Sequence, residues 1–482
     1  MDKIYAYAEL TIVAAAGNNA VAGLPGINGR PRAPQVMEEV KEGLRLIYAS
    51  RWPDELDHSY YETRAWTFQE RVLSRRCLFF FSEHVVFRCR NGLWREDLIL
   101  ESPRYRVRDS SIVWQYGAVG TQINEKISLE AHEKRQRQIQ PLRDYQNAMR
   151  EYSVRRLTFE SDAMNACVGI FEQIAKTMDF DLYYCLPQQF FELGLLWYGG
   201  EGRRSGLPSW SWIGWKGKTR LGLEIYRRGD IVWWLSTDCW ISWTRLDGEP
   251  LHLTIAEEAG LYLLGDLNKI PPNIDKALTL PWRAPREFVL KDYYLRFWTF
   301  SIHLKISHAI KQSEERSGMD AEIAKPPTIF DLRDRNHGFA GRLLSHAHPV
   351  PHTAEGPPEI ETEILIISRQ RFHSNREPGI ADNDLHLFLG FNDGATYPES
   401  YLADDHLIDL KSGIVIGPAD AQLAKESYPD KEGQHPLRLY DVLEVIWRDD
   451  GVAERVGIGK VLISAVQKSL DPGVVWKEIV LG

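Results

Sequence analysis

The chain has 482 residues, of which 44% are hydrophobic and 26% are charged, a composition that excludes a wholly disordered protein. Its formal net charge of −9 repels phosphate backbones and argues against nucleic-acid binding, and we interpret the basic run Lys134–Arg137 as a solvated helix face. No apolar run approaches the roughly 20 residues that a bilayer span needs, and the first ten residues lack the pattern of a signal peptide.

The five cysteines are few and odd in number, which argues against a disulfide framework and indicates a reducing compartment. They are Cys77, Cys89, Cys167, Cys185 and Cys239. We therefore expect a cytoplasmic protein.

The amino-terminal part of the chain is predicted to be mixed α/β. Asp2–Ala8 predicts a short helix, and the apolar, β-branched run Leu10–Ala16 predicts a buried strand that ends in a Gly-Asn-Asn turn. Thr63–Leu73 has helical spacing. Cys77–Phe81 and Val85–Cys89 are two short strand patterns with three residues between them, which predicts a hairpin.

The middle of the chain is predicted to be helical. Ser161 and Asp162 are good N-terminal caps for a helix over Ala163–Met178. Gln188–Tyr198 follows a proline and is apolar on most sides, which predicts a second, buried helix there.

The carboxyl-terminal half is predicted to be β-rich, because short apolar or alternating runs are separated by turn residues at moderate spacing. This pattern is typical of an antiparallel sandwich or barrel. Several of the 16 tryptophans are clustered in this half, and we interpret the clusters as aromatic core. The predicted strands are Ser209–Trp215, Ile231–Leu235, Leu251–Ile255, Leu261–Leu264, Tyr294–Phe300, Glu363–Ile367, Leu385–Phe391 and Tyr440–Trp447.

Several blocks of residues resemble a known family. MDKIY at residues 1–5, LTIVAA at 10–15 and RAWTFQERVLSRR at 64–76 resemble the middle of a fungal heterokaryon incompatibility (HET) domain. LPSWSW at 207–212 and the terminal WKEIVLG at 476–482 resemble the region that accompanies this domain in related fungal proteins. The sequence is thus similar to the family from its first to its last block.

The resemblance sets the expected fold class and domains. We expect an α/β part, a partial TIR-like HET domain, followed by a helical segment and a β-rich carboxyl-terminal domain. The expected ranges are 1–100 for the second half of the HET domain, 101–137 for a linker, 138–205 for the helical segment and 206–482 for the β-rich domain. The two strands with which HET domains usually open are absent, so we expect a domain truncated at its start, with an open sheet edge.

One pair of residues is a candidate catalytic site. HET domains are similar in fold to TIR domains, some of which hydrolyse NAD with a glutamate in a W-x-x-x-E arrangement, and Trp66 and Glu70 have that spacing here. Residues four apart share a helix face, so a carboxylate beside an aromatic ring could stabilise an oxocarbenium-like state. The alternative is structural: Trp66 in the core and Glu70 paired with an arginine, Arg64, Arg71 or Arg75. Without the missing strands we expect Glu70 to face solvent and NAD not to be consumed.

No metal or other cofactor is expected. His346, His348 and His352 have metal-like spacing, but they lie in a Pro-rich segment that we interpret as a surface loop. Cys77 and Cys89 are too few to close a tetrahedral zinc site, and we interpret them as free thiols of the core.

Three functions remain open at this point. The resemblance implies non-self recognition and programmed cell death of the HET type, with protein partners, no nucleic acid and no membrane span. The second is NAD hydrolysis with Glu70 as the catalytic carboxylate. The third is a non-catalytic interaction module whose β-rich half binds a partner while the HET half is inert.

Overall fold

A computed structural model of the chain describes residues 2–48, 52–89, 92–97, 144–178, 181–188, 191–221, 241–246, 248, 251, 278–284, 289, 291–310, 328–347, 360–369, 407–408, 415–416 and 439–482. The chain divides into two units, Met1–Asp179 and Phe180–Gly482. This division falls inside the segment predicted as helical, residues 138–205. The predicted linker lies outside the described residues, as do the strand predictions at 231–235, 261–264 and 385–391. No helix among the described residues is long and apolar enough to cross a bilayer.

The first unit alternates short helices and strands. In chain order they are α1 (Asp2–Tyr7), β1 (Thr11–Ala14), β2 (Met37–Lys41), β3 (Leu44–Ile47), α2 (Trp52–Asp57), α3 (Tyr60–Thr63), α4 (Ala65–Leu73), β4 (Arg76–Phe80), β5 (Val85–Cys89), β6 (Gly92–Arg95), α5 (residues 144–153), a 3-10 turn (Glu160–Asp162) and α6 (Val168–Met178). The predicted helix at the start of the chain, the helix around Trp66 and the hairpin after it are therefore confirmed.

A four-stranded sheet forms the centre of the first unit, in the order β1-β4-β5-β6. β1 runs parallel to β4, and β4, β5 and β6 are antiparallel neighbours. The prediction of a buried strand over Leu10–Ala16 was wrong in one respect. Val13 is buried, but Ile12 on the other face is 58% exposed. The face of β1 that carries Val13 packs against the core, and the face that carries Ile12 has no layer packed against it within the described residues.

A buried network of charges joins α3 and α4 to α5. Arg71 Nε lies 2.9 Å from Glu62 Oε1, and Arg71 Nη2 lies 3.3 Å from Glu151 Oε2. The Arg155 guanidinium donates to Glu62 on its other side and lies over the ring of Phe68. Burial alone would raise the pKa of Glu62, but Arg71 and Arg155 outweigh this effect and hold it below its usual range.

This network predicts a large cost for removing one partner. We expect Arg155→Met to destabilise the first unit by about 3–5 kcal/mol, because it leaves the buried Glu62 carboxylate under-neutralised. Arg156→Met is the matched control, because Arg156 is exposed and, among the residues that the structure describes, it makes backbone hydrogen bonds only. Native-state hydrogen exchange of the α4 and β4 amides measures both. Equal effects of the two substitutions would contradict the role assigned to the network.

The second unit consists mostly of strands. In chain order its elements are β7 (Leu182–Tyr183), β8 (Leu186–Pro187), α7 (Phe191–Leu195), β9 (Trp197–Gly199), β10 (Gly202–Arg203), a 3-10 turn (Trp212–Gly214), β11 (Trp215–Lys216), β12 (Thr219–Leu221), β13 (Thr244–Arg245), β14 (Leu278–Leu280), β15 (Leu295–Ile310), β16 (Thr328–Arg333), β17 (Phe339–Ser345), β18 (Ile360–Arg369), β19 (Leu407–Ile408), β20 (Val415–Ile416), β21 (Leu439–Trp447), β22 (Ala453–Leu462), α8 (Ile463–Val466) and β23 (Val475–Leu481).

Six of these strands close on themselves. β15 pairs with β16 on one side and with β18 on the other, and the order β15-β16-β17-β22-β21-β18 returns to β15 with every neighbour antiparallel. The 16-residue β15 also pairs with β23 through its first half, which extends the sheet outward. Of the predicted strands, those at 294–300, 363–367 and 440–447 are confirmed.

The strand prediction for Ser209–Trp215 was wrong. The segment forms a turn and a 3-10 helix, and only its last residue begins a strand. Backbone carbonyls of this region are hydrogen-bonded by a side chain and not by a neighbouring strand. The Arg203 guanidinium donates to Leu207 O at 2.9 Å and to Gly214 O at 2.7 Å. The alternating tryptophans are buried, as expected, but in a loop core.

The helix prediction for Gln188–Tyr198 was also too long. The helix covers Phe191–Leu195 only, and Trp197–Gly199 is a strand paired antiparallel with Thr219–Leu221. Gly199 has a φ of +95°, and a Cβ there would lie 2.2 Å from Lys218 O. The apolar run alone could not distinguish a buried helix from a helix followed by a strand. The helix predicted over Ala163–Met178 begins later, at Val168, after the 3-10 turn.

The carboxylate of Glu363 on β18 contacts side chains from three other strands. Trp447 Nε1 donates to Glu363 Oε2 at 2.6 Å, and the Ser301 hydroxyl and the Lys477 ammonium contact Oε1. His303 Nε2 lies 3.6 Å from Oε2. Burial would raise the pKa of Glu363, but the hydrogen bonds and the charge of Lys477 lower it to about 2.

We expect Glu363→Gln to destabilise the second unit at neutral pH by on the order of 3 kcal/mol. Because the folded pKa lies below the unfolded value of roughly 4.3, the stabilisation is present above that value and is lost as the pH falls toward 2. In urea titrations the variant should therefore lose less stability than the parent between about pH 5 and about pH 2, the range in which the Glu363 carboxylate of the parent becomes protonated. Glu361→Gln, an exposed position on the same strand, should behave like the parent. Parallel acid profiles for parent and Glu363→Gln would contradict this account.

Candidate functional site

Trp66 and Glu70 lie one turn apart on α4, and both are half-buried. The Trp66 indole Nε1 donates to Asp162 Oδ2 at 3.4 Å, so the 3-10 turn before α6 orients the ring. Gln69, between them in sequence, faces the interior and accepts from Gly169 N at 3.0 Å. The helix therefore buries Gln69 and leaves the Trp66 and Glu70 face at the edge of the core.

Glu70 does not face open solvent, contrary to the expectation from the sequence. Its carboxylate accepts a hydrogen bond from the Tyr5 hydroxyl of α1 and lies in the field of Arg64. Burial outweighs these two contacts and raises the pKa of Glu70. Of the arginines considered as ion-pair partners, Arg71 is engaged by Glu62 and Glu151 instead.

The position of Glu70 relative to the sheet limits what it can do. Ser74, just after α4, donates to Glu70 O at 2.6 Å and shares a 2.6 Å hydrogen bond with the hydroxyl of Thr11, the first residue of β1. The last turn of α4 therefore lies beside the amino ends of the two parallel strands. Ligands of sheets with parallel strands bind at the opposite edge, beyond the carboxyl ends of the strands.

A second cluster of titratable residues occupies that opposite edge. His84, in the turn after β4, is 3% exposed, and its Nε2 lies 3.4 Å from Glu55 Oε2 on α2. Its Nδ1 lies 4.0 Å from Asp97 Oδ2. Arg95 binds Asp97 through two parallel contacts of 2.9 and 2.7 Å, so the carboxylate beside the imidazole is held in one orientation. We refer to Glu55, His84, Arg95 and Asp97 as the carboxyl-edge cluster.

Arg32 ties the glycine-rich loop before β2 to the same edge. Its guanidinium lies 2.6 Å from Glu96 Oε2, and the Glu96 carboxylate also accepts from Val85 N at 3.0 Å. The hydrogen bond from Arg32 lowers the pKa of Glu96. Burial would raise the pKa of Asp97, but the hydrogen bond from Arg95 and the nearby His84 lower it. Both carboxyl groups are therefore ionised at neutral pH.

Sequence reasoning found Glu70 and missed the carboxyl-edge cluster. Its members come from α2, from a hairpin turn and from the end of β6, so no local spacing connects them. The one available signal was topological: polar residues follow β4 and β6, whose carboxyl ends share an edge. The His84 imidazole lies between two carboxylates, but it is itself covered, so that only its half-buried neighbours Glu55 and Asp97 could contact a ligand.

The histidines and cysteines that the sequence analysis considered as metal ligands do not form a site within the described residues. His346 follows β17, lies against the Trp215 ring at 5.3 Å between centroids, and has a pKa lowered to about 4 by burial and by Arg455. His348 and His352 lie outside the described residues. Across the part of the chain that the structure describes, no three His, Cys, Asp or Glu side chains assemble as metal ligands. Cys77 is a buried free thiol and Cys89 is a half-buried one.

Comparison with known proteins gives one match. Residues 1–70 match the model of the family described as Heterokaryon incompatibility protein (HET). No curated protein and no solved structure matches the chain. The resemblance to this family is thus confirmed over a range that contains α1 to α3, most of α4, Trp66 and Glu70.

We expect the purified chain to release no nicotinamide from NAD, because Glu70 is held by Tyr5 near the amino edge of the parallel strands and away from the edge where nucleotides bind. Chromatography of NAD incubations measures the release. Glu70→Gln and Glu9→Gln, the latter an exposed carboxylate near the same sheet edge, are tested in parallel. Turnover that is lost in Glu70→Gln and kept in Glu9→Gln would overturn this prediction and assign catalysis to Glu70.

Proposed function

We propose, because residues 1–70 match the model of the HET family, that this chain acts in heterokaryon incompatibility, as a component that recognises non-self and triggers programmed death of fused cells. The family match is the observation that carries the proposal. The network around Glu62 supports it, because the network joins the matched helices α3 and α4 to α5 in one folded unit.

The two units differ in architecture, and we assign them different roles. The closed sheet of the second unit pairs each of its six strands on both sides, and proteins commonly bind partners through loops on such scaffolds. We propose that this unit binds a protein partner and that the first unit is the effector. The net charge of −9 disfavours nucleic acid as that partner. The four cysteines within the described residues are all free thiols, which supports a cytoplasmic location.

NAD hydrolysis by a TIR-like first unit is the second candidate. The raised pKa of the half-buried Glu70, one turn from Trp66, favours it, because functional carboxylates often have shifted pKa values. In such a reaction the bond between nicotinamide and ribose breaks, water adds to the ribose carbon, and an ionised Glu70 would stabilise the intermediate cation. The location of Glu70 at the amino edge argues against it. The third candidate, a non-catalytic interaction module, would use the second unit alone.

We expect induced expression of the chain in one of two fusing strains of a filamentous fungus to lower the viability of the fused cells. Phe68→Asp should abolish this effect, because Phe68 is fully buried beneath Tyr152 and Arg155 and a carboxylate there would unfold the first unit. Vital-dye staining of fusion compartments, at expression levels matched by immunoblotting, gives the measurement.

Phe159→Asp is the matched control, because the same substitution is made at a phenylalanine of the same unit that is 66% exposed. It should leave the effect intact. Unchanged viability on expression of the parent chain, in strain pairs whose fused cells survive without it, would refute the effector proposal. Death that persists in Phe68→Asp would transfer the activity to the second unit.

A further inference from the structure

The β2–β3 hairpin of the first unit is exposed on both faces. Every residue of its two strands is exposed, and its apolar side chains are exposed by half or more of their surface. They are Met37 (55%), Val40 (59%), Leu44 (53%), Leu46 (58%) and Ile47 (50%), with Val36 (59%) and Tyr48 (65%) at the ends. An isolated two-stranded hairpin is marginal in water, and three or more strands with an apolar face are normally needed. Within the described residues, β2 and β3 pair only with each other.

A bulge in β2 determines which side chains share a face. Glu39 is opposite Arg45, but Lys41 and not Val40 is opposite Leu44, so one extra residue is inserted. Because of this insertion Lys41 lies on the same face as Glu38, which is opposite Leu46. In a regular strand, residues three apart lie on opposite faces.

The charges on this hairpin are of two kinds. Glu39 is used within the hairpin, since its carboxylate accepts from Gly43 N at 3.0 Å and lies 3.6 Å from Arg45 Nε. Glu38 and Lys41 have neither a hydrogen bond nor an ion pair with any residue that the structure describes. A free carboxylate and a free ammonium thus stand on one face of an unpaired strand edge.

We infer that β2 pairs with β2 of a second copy of this chain. In an antiparallel arrangement with the two-fold axis between Glu39 and Val40, Glu38 of each copy lies directly opposite Lys41 of the other. Both ion pairs form on one face, as the bulge requires, and the two hairpins become a four-stranded sheet. Leu44 and Leu46 of each copy then flank these ion pairs on the same face of the sheet.

Neighbouring registers lack this complementarity. With the axis through Val40, Glu38 would lie opposite Glu42 of the other copy, and Glu39 would lie opposite Lys41 although the bulge places these two side chains on opposite faces of the strand. With the axis through Glu39, like charges would be directly opposed. A lipid surface is a poorer occupant, because Glu38, Glu39 and Glu42 would be placed against anionic headgroups. The self-complementary register therefore selects a second copy, and this inference does not depend on the proposed function.

The test is sedimentation velocity of the full chain over about 1–100 μM. We expect a concentration-dependent dimer. Glu38→Lys should raise the dimer dissociation constant by about tenfold or more, because both ion pairs become like-charge contacts. Lys41→Glu should weaken the dimer to a similar degree. The double variant Glu38→Lys/Lys41→Glu should restore it, because the charges are exchanged and the register is kept.

Glu9→Lys makes the same charge change at another exposed site and should leave the dimer unchanged. Far-ultraviolet circular dichroism of each variant checks that these surface substitutions leave the fold intact. A chain that stays monomeric over the whole concentration range would overturn the inference. So would a dimer that is indifferent to Glu38→Lys, or single-variant losses that the double variant fails to restore.

Discussion

Every charge that this chain buries has to be neutralised or solvated by the protein itself, and this constraint shapes both units. In the first unit Glu62 is surrounded by Arg71 and Arg155, which fixes three helices around one carboxylate. In the second unit Lys460 and Asp441, both at most 1% exposed, face each other across two neighbouring strands. Each pair is costly to break, because the partner left behind stays out of water.

Arg455 satisfies the same constraint without a carboxylate. It is 2% exposed, donates to the carbonyl of Trp197 and lies 3.8 Å from the centre of that indole ring. Burial lowers its pKa, and the nearby Arg203 lowers it further. The buried aromatic residues around Trp197 are thus held by polar contacts as well as by apolar packing. Here a backbone carbonyl and an aromatic ring stabilise the buried guanidinium, whereas acidic side chains do so in the first unit.

The sequence was most informative where structure is determined locally. α1, α4 and the β4–β5 hairpin follow from periodicity and turn residues, and the HET resemblance follows from the block around Trp66. The conformation of Ser209–Trp215 could not be predicted in this way, since it depends on the arginine side chains Arg203 and Arg204. The carboxyl-edge cluster was missed for a related reason, because His84 meets Glu55 and Asp97 only after the sheet has formed. The W-x-x-x-E spacing placed Trp66 and Glu70 on one helix face correctly, but it could not show at which edge of the sheet that face lies.

The closed six-stranded sheet also sets the order in which the second unit can be completed during synthesis. β16 and β17 are adjacent in the chain and pair early, but the other edge of β17 pairs with β22, with Ser345 opposite Gly457. The ribosome needs roughly 5–20 s to make the intervening chain at typical rates. For that interval the nascent protein carries unpaired edges of β17 and β18, the arrangement that favours aggregation. In the finished ring each of the six strands is paired on both sides. The unfinished form therefore depends on protection from aggregation, and translation speed through this stretch becomes a determinant of yield.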